Sequence, residues 1–285
     1  MPEGPDILLC ATFFKKYLNL SIISNIISHT THKITLPNDY VGNVIDVDCK
    51  GKQMWFLVSS KDKNKNYYIH IHYGLKGWIK SENNDNNINN YGGENNTINQ
   101  HNVKYKFIIN NKDTLYLEDS INSSKVHILT HEQHTKIIDE LGIDVFSPEF
   151  TLDTFKTEIK KKKCLLASFI LNQKIFSGMG NYVKSEIMYL SHLNIKIKTN
   201  ELEDNSINKL YKNILYIIYS KFMTMIKKAK LHKSDINKHK LKNIPKKIDS
   251  KYLYRIYNRD VTDEGQKVIK TMVSGRKSYS IAELS

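Results

Sequence analysis

From Pro5 to Leu18 the apolar residues Ile7, Cys10, Ala11, Phe14 and Leu18 recur at helical spacing, so the chain is expected to open on an amphipathic helix. The period then falls to two. Runs at 21–29 (SIISNIISH), 44–49 (VIDVDC), 53–58 (QMWFLV) and 67–73 (YYIHIHY) are rich in Ile, Val and aromatic residues and read as strands. Two more, at 103–109 and 114–119, flank NNKD, a good hairpin turn. Many short strands joined by polar turns predict an antiparallel sandwich or barrel rather than a parallel sheet. Within this region, ten of the 22 residues at 81–102 are Asn. Such a stretch cannot bury a core and is expected to be a disordered surface insertion.

Near Thr130 the period changes to 3.6. THEQHTKIIDELG predicts a helix closed by Gly142, and Thr151 is placed to cap another that carries Leu152, Phe155 and Ile159 on one face. CLLASFILNQ is almost wholly apolar and predicts a short central helix. Helices are also expected at 181–192 and at 206–228, the latter with a stripe of Ile207, Leu210, Ile214, Ile217 and Met225. Residues 230–251 are basic and interrupted by Pro245, as in a linker. The last 34 residues return to strand-like runs, YLYRIYNR, QKVIKTMV and RKSYSI, with a hairpin turn at Ser274–Gly275. The expected fold is α+β: a β-rich domain over 1–129, a helical domain over 130–229, a linker over 230–251 and a hairpin over 252–285.

Charge narrows the function. The chain has 285 residues, with 43 Lys and Arg against 29 acids, a net charge of +14 that favours a polyanionic partner. Cys10, Cys49 and Cys164 form no CxxC, which fits reduced thiols in an intracellular setting and gives no support for a zinc site. Glu3 and Asp6 stand where a signal peptide would be basic, and no apolar run approaches the roughly 18 residues a membrane span needs. An intracellular, membrane-free protein is expected.

Four segments carry candidate chemistry. NQKIFSGMGNYVKSEI (172–187) places Gly178 and Gly180 in a G-x-G-N turn that enters a helix. There the backbone can approach a phosphate, with Asn181 as a side-chain donor and Lys174 just upstream, although an ordinary packing turn has the same pattern. Gly51–Lys52 leads into a strand, where the lysine reads as a phosphate contact, an acid/base group or plain surface. In HIHYGLKGW (70–78), His70 and His72 share a strand face as metal ligands or core, and Leu75 between glycines is shaped like a wedge for a base stack. In SGRKSYSI, Arg276 follows a turn glycine where it can grip a phosphate.

Taken in order with the opening MPEGP, these segments resemble the formamidopyrimidine-DNA glycosylase/endonuclease VIII family over the whole chain; MPEGP and NQKIFSGMGNY are the most specific matches. The resemblance implies a β-sandwich and a helix–two-turn–helix domain with damaged DNA between them, and a bifunctional glycosylase/AP lyase acting on oxidised bases. Pro2 would be the nucleophile once Met1 is removed, and Glu3 the acid that protonates the sugar ring or base. Lys52 would serve β-elimination and phosphate contact, and Arg276 phosphate binding and δ-elimination. Asn181 and Lys174 would hold the flanking phosphates, Leu75 would fill the void left by the lesion, and Asp6 stands where the family usually has Glu.

The family's C-terminal finger usually carries four zinc-binding Cys. This stretch has none, resembling the zincless endonuclease VIII-like members, so no cofactor is expected. The turn DSINSSK (119–125) lacks the family's usual Arg to the opposite base; Asn122 is the nearest candidate, which leans towards oxidised pyrimidines. A monomer acting on damaged duplex or single-stranded DNA is expected. The alternative is a non-catalytic nucleic-acid-binding protein built on the same helical module.

Overall fold

A computed structural model describes residues 2–62, 65–82, 88–90 and 97–285. Met1, whose removal the resemblance requires, lies outside the described residues. Two compact units emerge, one of Met1–Pro2 and Asp6–Glu140, the other of Glu3–Pro5 and Leu141–Ser285.

The opening helix forms as expected, α1 (Gly4–Tyr17), and belongs to the first unit from Asp6 onward. Among the described residues nine strands follow: β1 (Ile23–Ser28), β2 (Tyr40–Lys50), β3 (Gln53–Ser60), β4 (Asn66–His72), β5 (Trp78–Glu82), β6 (Ile88–Asn90), β7 (Val103–Ile109), β8 (Asp113–Glu118) and β9 (Lys125–Leu129). They form two antiparallel sheets, ordered β2-β3-β4-β9 and β1-β7-β8-β5-β6. Strict alternation explains the core. In β7 the residues Val103, Tyr105, Phe107 and Ile109 are buried while their neighbours are half-buried. Phe14 of α1 meets Phe56 edge-on at 5.8 Å, and Phe56 meets Phe107 at 6.2 Å, so helix and both sheets share one aromatic core. The NNKD turn is a tight hairpin in which Asn110 and Asn111 adopt left-handed φ of 52° and 55°, a conformation Asn tolerates well.

Several expectations change here. Of the Asn-rich stretch, 83–87 and 91–96 lie outside the described residues, but Ser81–Glu82 belong to β5 and Ile88–Asn90 pair with it. Backbone ladder bonds need no apolar side chain, which is why composition alone missed β6. The helix at 131 does start at Thr130, whose hydroxyl accepts from Gln133 N while Gln133 reaches back to the Thr130 N–H. This α2 (His131–Asp139) nevertheless belongs with the β-rich unit, because His134 stacks on Tyr68 of β4 at 3.9 Å and meets Trp55 of β3 at 4.6 Å. It also ends at Asp139 and not at Gly142. Gly142 serves a close approach instead: a Cβ there would lie 2.2 Å from the Ile175 carbonyl oxygen.

The second unit pairs the short strands β10 (Ile143–Asp144) and β11 (Phe176–Ser177) in parallel. Its helices are α3 (Leu152–Lys160), capped by Thr151 as expected, α4 (Leu166–Leu171), α5 (Asn181–Ser191) and α6 (Asp204–Lys228). Phe150, Phe155, Phe169 and Phe176 interlock with centroids 5.1–6.1 Å apart. Residues 230–251 are not a free linker. Lys240 pairs with Asp144 at 2.5 Å, Tyr219 of α6 donates to the Lys240 carbonyl, Asn243 donates to the Ser147 and Phe150 carbonyls, and Ile236 is buried.

Residues 252–259 are not a strand either. The fully buried carboxylate of Glu186 on α5 accepts from Tyr252 Oη and from the backbone N–H groups of Arg255, Ile256 and Tyr257. Three successive N–H groups aimed at one point cannot also run a ladder. The final hairpin, β12 (Ile269–Val273) and β13 (Arg276–Ser280), forms around Ser274 and Gly275 with φ of 54° and 68°. It packs through Val268, Tyr279 and Ile281 against Ile256.

Candidate active site

In the second unit the first residues of the chain are built into the start of α5. Gly180 caps that helix without a side-chain hydrogen bond. The vacancy is filled by Glu3, 0% exposed, whose Oε1 accepts from Tyr182 N at 2.8 Å and Oε2 from Val183 N at 3.2 Å. Backbone donors and the positive end of the helix dipole both stabilise a carboxylate there. Gly4 makes the approach possible: its N–H donates to the Gly178 carbonyl at 2.7 Å, and a Cβ on Gly4 would sit 3.0 Å from that oxygen. Gly178 itself has φ of 108°, and its N–H donates to Gln173 Oε1, while Gln173 Nε2 donates to the Met179 carbonyl. Gln173 thus shapes the G-x-G turn from inside.

Beside this carboxylate lies a residue the sequence reading passed over. Lys184 on α5 is wholly buried, and its Nζ donates to Asn181 Oδ1 at 2.8 Å and Ser278 Oγ at 2.7 Å. Burial pushes its pKa down to about 8; the Glu3 charge works in the opposite direction and Arg276 adds to the depression. Asn181 spends one Nδ2 hydrogen on the Lys277 carbonyl of β13 at 2.8 Å. Arg276 and Lys174 are exposed. Glu3, Gly178, Gly180, Asn181 and the Arg276 hairpin therefore meet around the start of α5. A signal for Lys184 existed: it lies three and four residues before Ile187 and Met188, on the helix face that is buried.

The first unit carries the remaining candidates. Pro2 is buried. Asp6 is 5% exposed in the first turn of α1, where a carboxylate suits the helix dipole. Lys52 stands with Gly51 (φ 59°) in the two-residue turn between β2 and β3, and its charge, after burial, helps depress the His72 pKa. Leu75 is 36% exposed at the tip of the turn after β4. Its N–H donates to Ser123 Oγ at 2.8 Å, and a Cβ on Gly74 would lie 2.3 Å from that same oxygen. The loop 119–124 is in turn wrapped around Asp119, whose carboxylate accepts from Ile121 N, Ser123 N, Ser123 Oγ and Ser124 N. Burial alone would raise the Asp119 pKa, but these hydrogen bonds hold it below its ordinary value. The wedge-shaped Leu75 and the Asn122 turn are thereby fixed side by side.

His70 packs against Trp55 and His134, and burial, followed by the His134, His127 and His72 charges, pushes its pKa down to about 4. It is a core residue. Among the described residues no group of three or more His, Cys, Asp or Glu is placed to hold a metal ion. The hairpin region is built on the Ile256–Val268–Tyr279–Ile281 cluster and the ion pairs of Asp263 with Arg255 and Arg259.

Residues 141–230 match the model of the formamidopyrimidine-DNA glycosylase H2TH domain. A formamidopyrimidine-DNA glycosylase of Rickettsia conorii is 24% identical over 228 residues, covering 75% of each chain. One from Listeria innocua is 34% identical over 80 residues, 28% of this chain and 29% of that protein. Human endonuclease 8-like 3 is 28% identical over 189 residues, 64% of this chain but only 27% of the relative. Among solved structures, the Lactococcus lactis formamidopyrimidine-DNA glycosylase bound non-covalently to DNA with an AP site superposes with a TM-score of 0.74. It is 14% identical, with 98% of this chain and 97% of that one covered, which shows a shared fold.

Proposed function

The chain belongs to the formamidopyrimidine-DNA glycosylase/endonuclease VIII family, and on that premise we propose that it is a bifunctional DNA glycosylase and AP lyase that removes oxidised bases, pyrimidines favoured. The observation that best supports this reading is the carboxylate next to Pro2, held by the backbone at the start of α5.

The chemistry follows from the residues. With Met1 removed, Pro2 presents a secondary α-amine, a class of group with a pKa near 8, so a useful fraction is unprotonated at neutral pH. Its lone pair attacks C1′ of the damaged nucleotide as the base leaves with the glycosidic electron pair. The nitrogen now carries a proton, which the Glu3 carboxylate accepts and passes to the sugar ring oxygen. The ring opens and C1′=N⁺ forms, an iminium that acidifies the C2′ proton. Loss of that proton expels the 3′ phosphate by β-elimination, for which Lys52 is the base. Loss of the C4′ proton to solvent then expels the 5′ phosphate, gripped by Arg276, in a second, δ, elimination. Asn181 and Lys174 hold the phosphates on either side, and Leu75 fills the gap left by the flipped nucleotide. No step needs a metal, and the C-terminal hairpin is proposed to hold its shape without zinc. With no Arg in the 119–125 turn, a cytosine opposite the lesion is poorly discriminated, which supports the endonuclease VIII-like preference.

The test is borohydride reduction on duplexes carrying thymine glycol, 8-oxoguanine or an abasic site. A covalent adduct is expected at the abasic site and with thymine glycol, more slowly with 8-oxoguanine, and absent when the N-terminal α-amine alone has been acetylated. An adduct that survives α-amine acetylation overturns the nucleophile assignment.

A further inference from the structure

Lysine is an unfavourable choice at position 184. It lies in the first turns of α5, at the positive end of the helix dipole, and none of its surface reaches solvent. A methionine or leucine would fill the same space without desolvating an amine. The arrangement makes sense through what the Nζ touches. One hydrogen goes to Asn181 Oδ1 and another to Ser278 Oγ on β13. The first bond fixes which end of the Asn181 amide faces inward: the oxygen is held by Lys184, so the NH₂ must face away. One of its hydrogens then goes to the Lys277 carbonyl, leaving the second N–H as a donor. If the amide were released it could turn over and present its oxygen, an acceptor that repels phosphate. The second bond holds the strand that bears Arg276 against the same helix start. Of the charged groups that act on the amine, Glu3 favours the ammonium form and Arg276 opposes it.

We propose that Lys184 is a positioning residue for DNA phosphate: its buried ammonium sets the Asn181 amide with N–H outward and pins the Arg276 hairpin to the start of α5. This rests on the glycosylase reading for the identity of the ligand, but its own readout is binding rather than chemistry.

The probe is a duplex carrying a tetrahydrofuran abasic analogue, which cannot react with an amine. Lys184→Met is expected to weaken binding about tenfold, as is Asn181→Ala, and the double variant to be no weaker than the worse single one, because both remove the same oriented donor. Lys184→Arg, which restores a charged donor, should bind within about threefold of wild type. As pH rises through about 8 the wild type loses the ammonium and its binding weakens; Lys184→Arg should show no such break, since guanidinium stays charged. Should Lys184→Met fail to fold, Ser278→Ala and Lys184→Arg carry the same comparison. Wild-type affinity in Lys184→Met, or independent multiplication of the two single effects, overturns the proposal. Failure of the enzyme reading looks different: intact binding to the analogue with no borohydride adduct at a true abasic site.

Discussion

At the scale of the residue, burial decides which side chains are available for chemistry. Cys10 and Cys49 are buried, and burial pushes the Cys10 thiol up to about 12, whereas Cys164 is partly exposed. Alkylation of the native protein with iodoacetamide at neutral pH should therefore label Cys164 alone, with Cys10 and Cys49 reacting only in denaturant; mass spectrometry of the peptides reads the result. The same logic separates what the sequence revealed from what it hid. Pro2, Glu3, Asn181 and Arg276 stood out because they occupy recognisable short motifs. Lys184 did not, since a lysine in a basic chain carries no mark of burial, and only the apolar positions three and four residues on betray its inward face. Glu186 was hidden for the same reason: four donors converge on it from residues 252–257, a relation no local pattern encodes.

At the scale of the element, strong periodicity was readable and tertiary demands were not. The alternation in β3 and β7 and the stripe on α6 specify those elements directly. The Asn-Asn and Ser-Gly hairpin turns were likewise legible, because left-handed backbone selects few residue types. YLYRIYNR has the composition of a strand, but Glu186 takes the N–H groups of Arg255, Ile256 and Tyr257. Gly142 closes no helix; at this position a glycine lets the Ile175 backbone come close. Two glycines test that distinction. Gly275 has φ of 68° and open space around a Cβ, so Gly275→Ala should cost about 1 kcal/mol, the backbone term alone. Gly142→Ala should cost more, about 3 kcal/mol, because the Ile175 backbone has to move. Chemical denaturation monitored in the second unit measures both, and equal costs would contradict the assignment.

At the scale of the whole molecule, a net charge of +14 favours a polyanion. Affinity for a tetrahydrofuran duplex should fall steeply with salt, and removing Lys52, Lys174 or Arg276 singly should each reduce the slope of log K against log salt by about 1 if that residue meets a phosphate. A slope unchanged by Arg276→Ala would place the hairpin tip off the DNA. The order of motifs along all 285 residues is what made the molecule legible as a whole. Less legible was the partition into units, because α2 reads as the first helix of a helical domain yet packs by His134 onto the sheet. The central claim remains chemical and concerns one atom, the Pro2 nitrogen. The most direct measurement is peptide mapping of the borohydride-reduced adduct with abasic DNA. The sugar remnant is predicted on an N-terminal peptide that begins at Pro2 with Met1 gone; its recovery on Lys52 or any other lysine, or on a peptide still carrying Met1, would contradict the account.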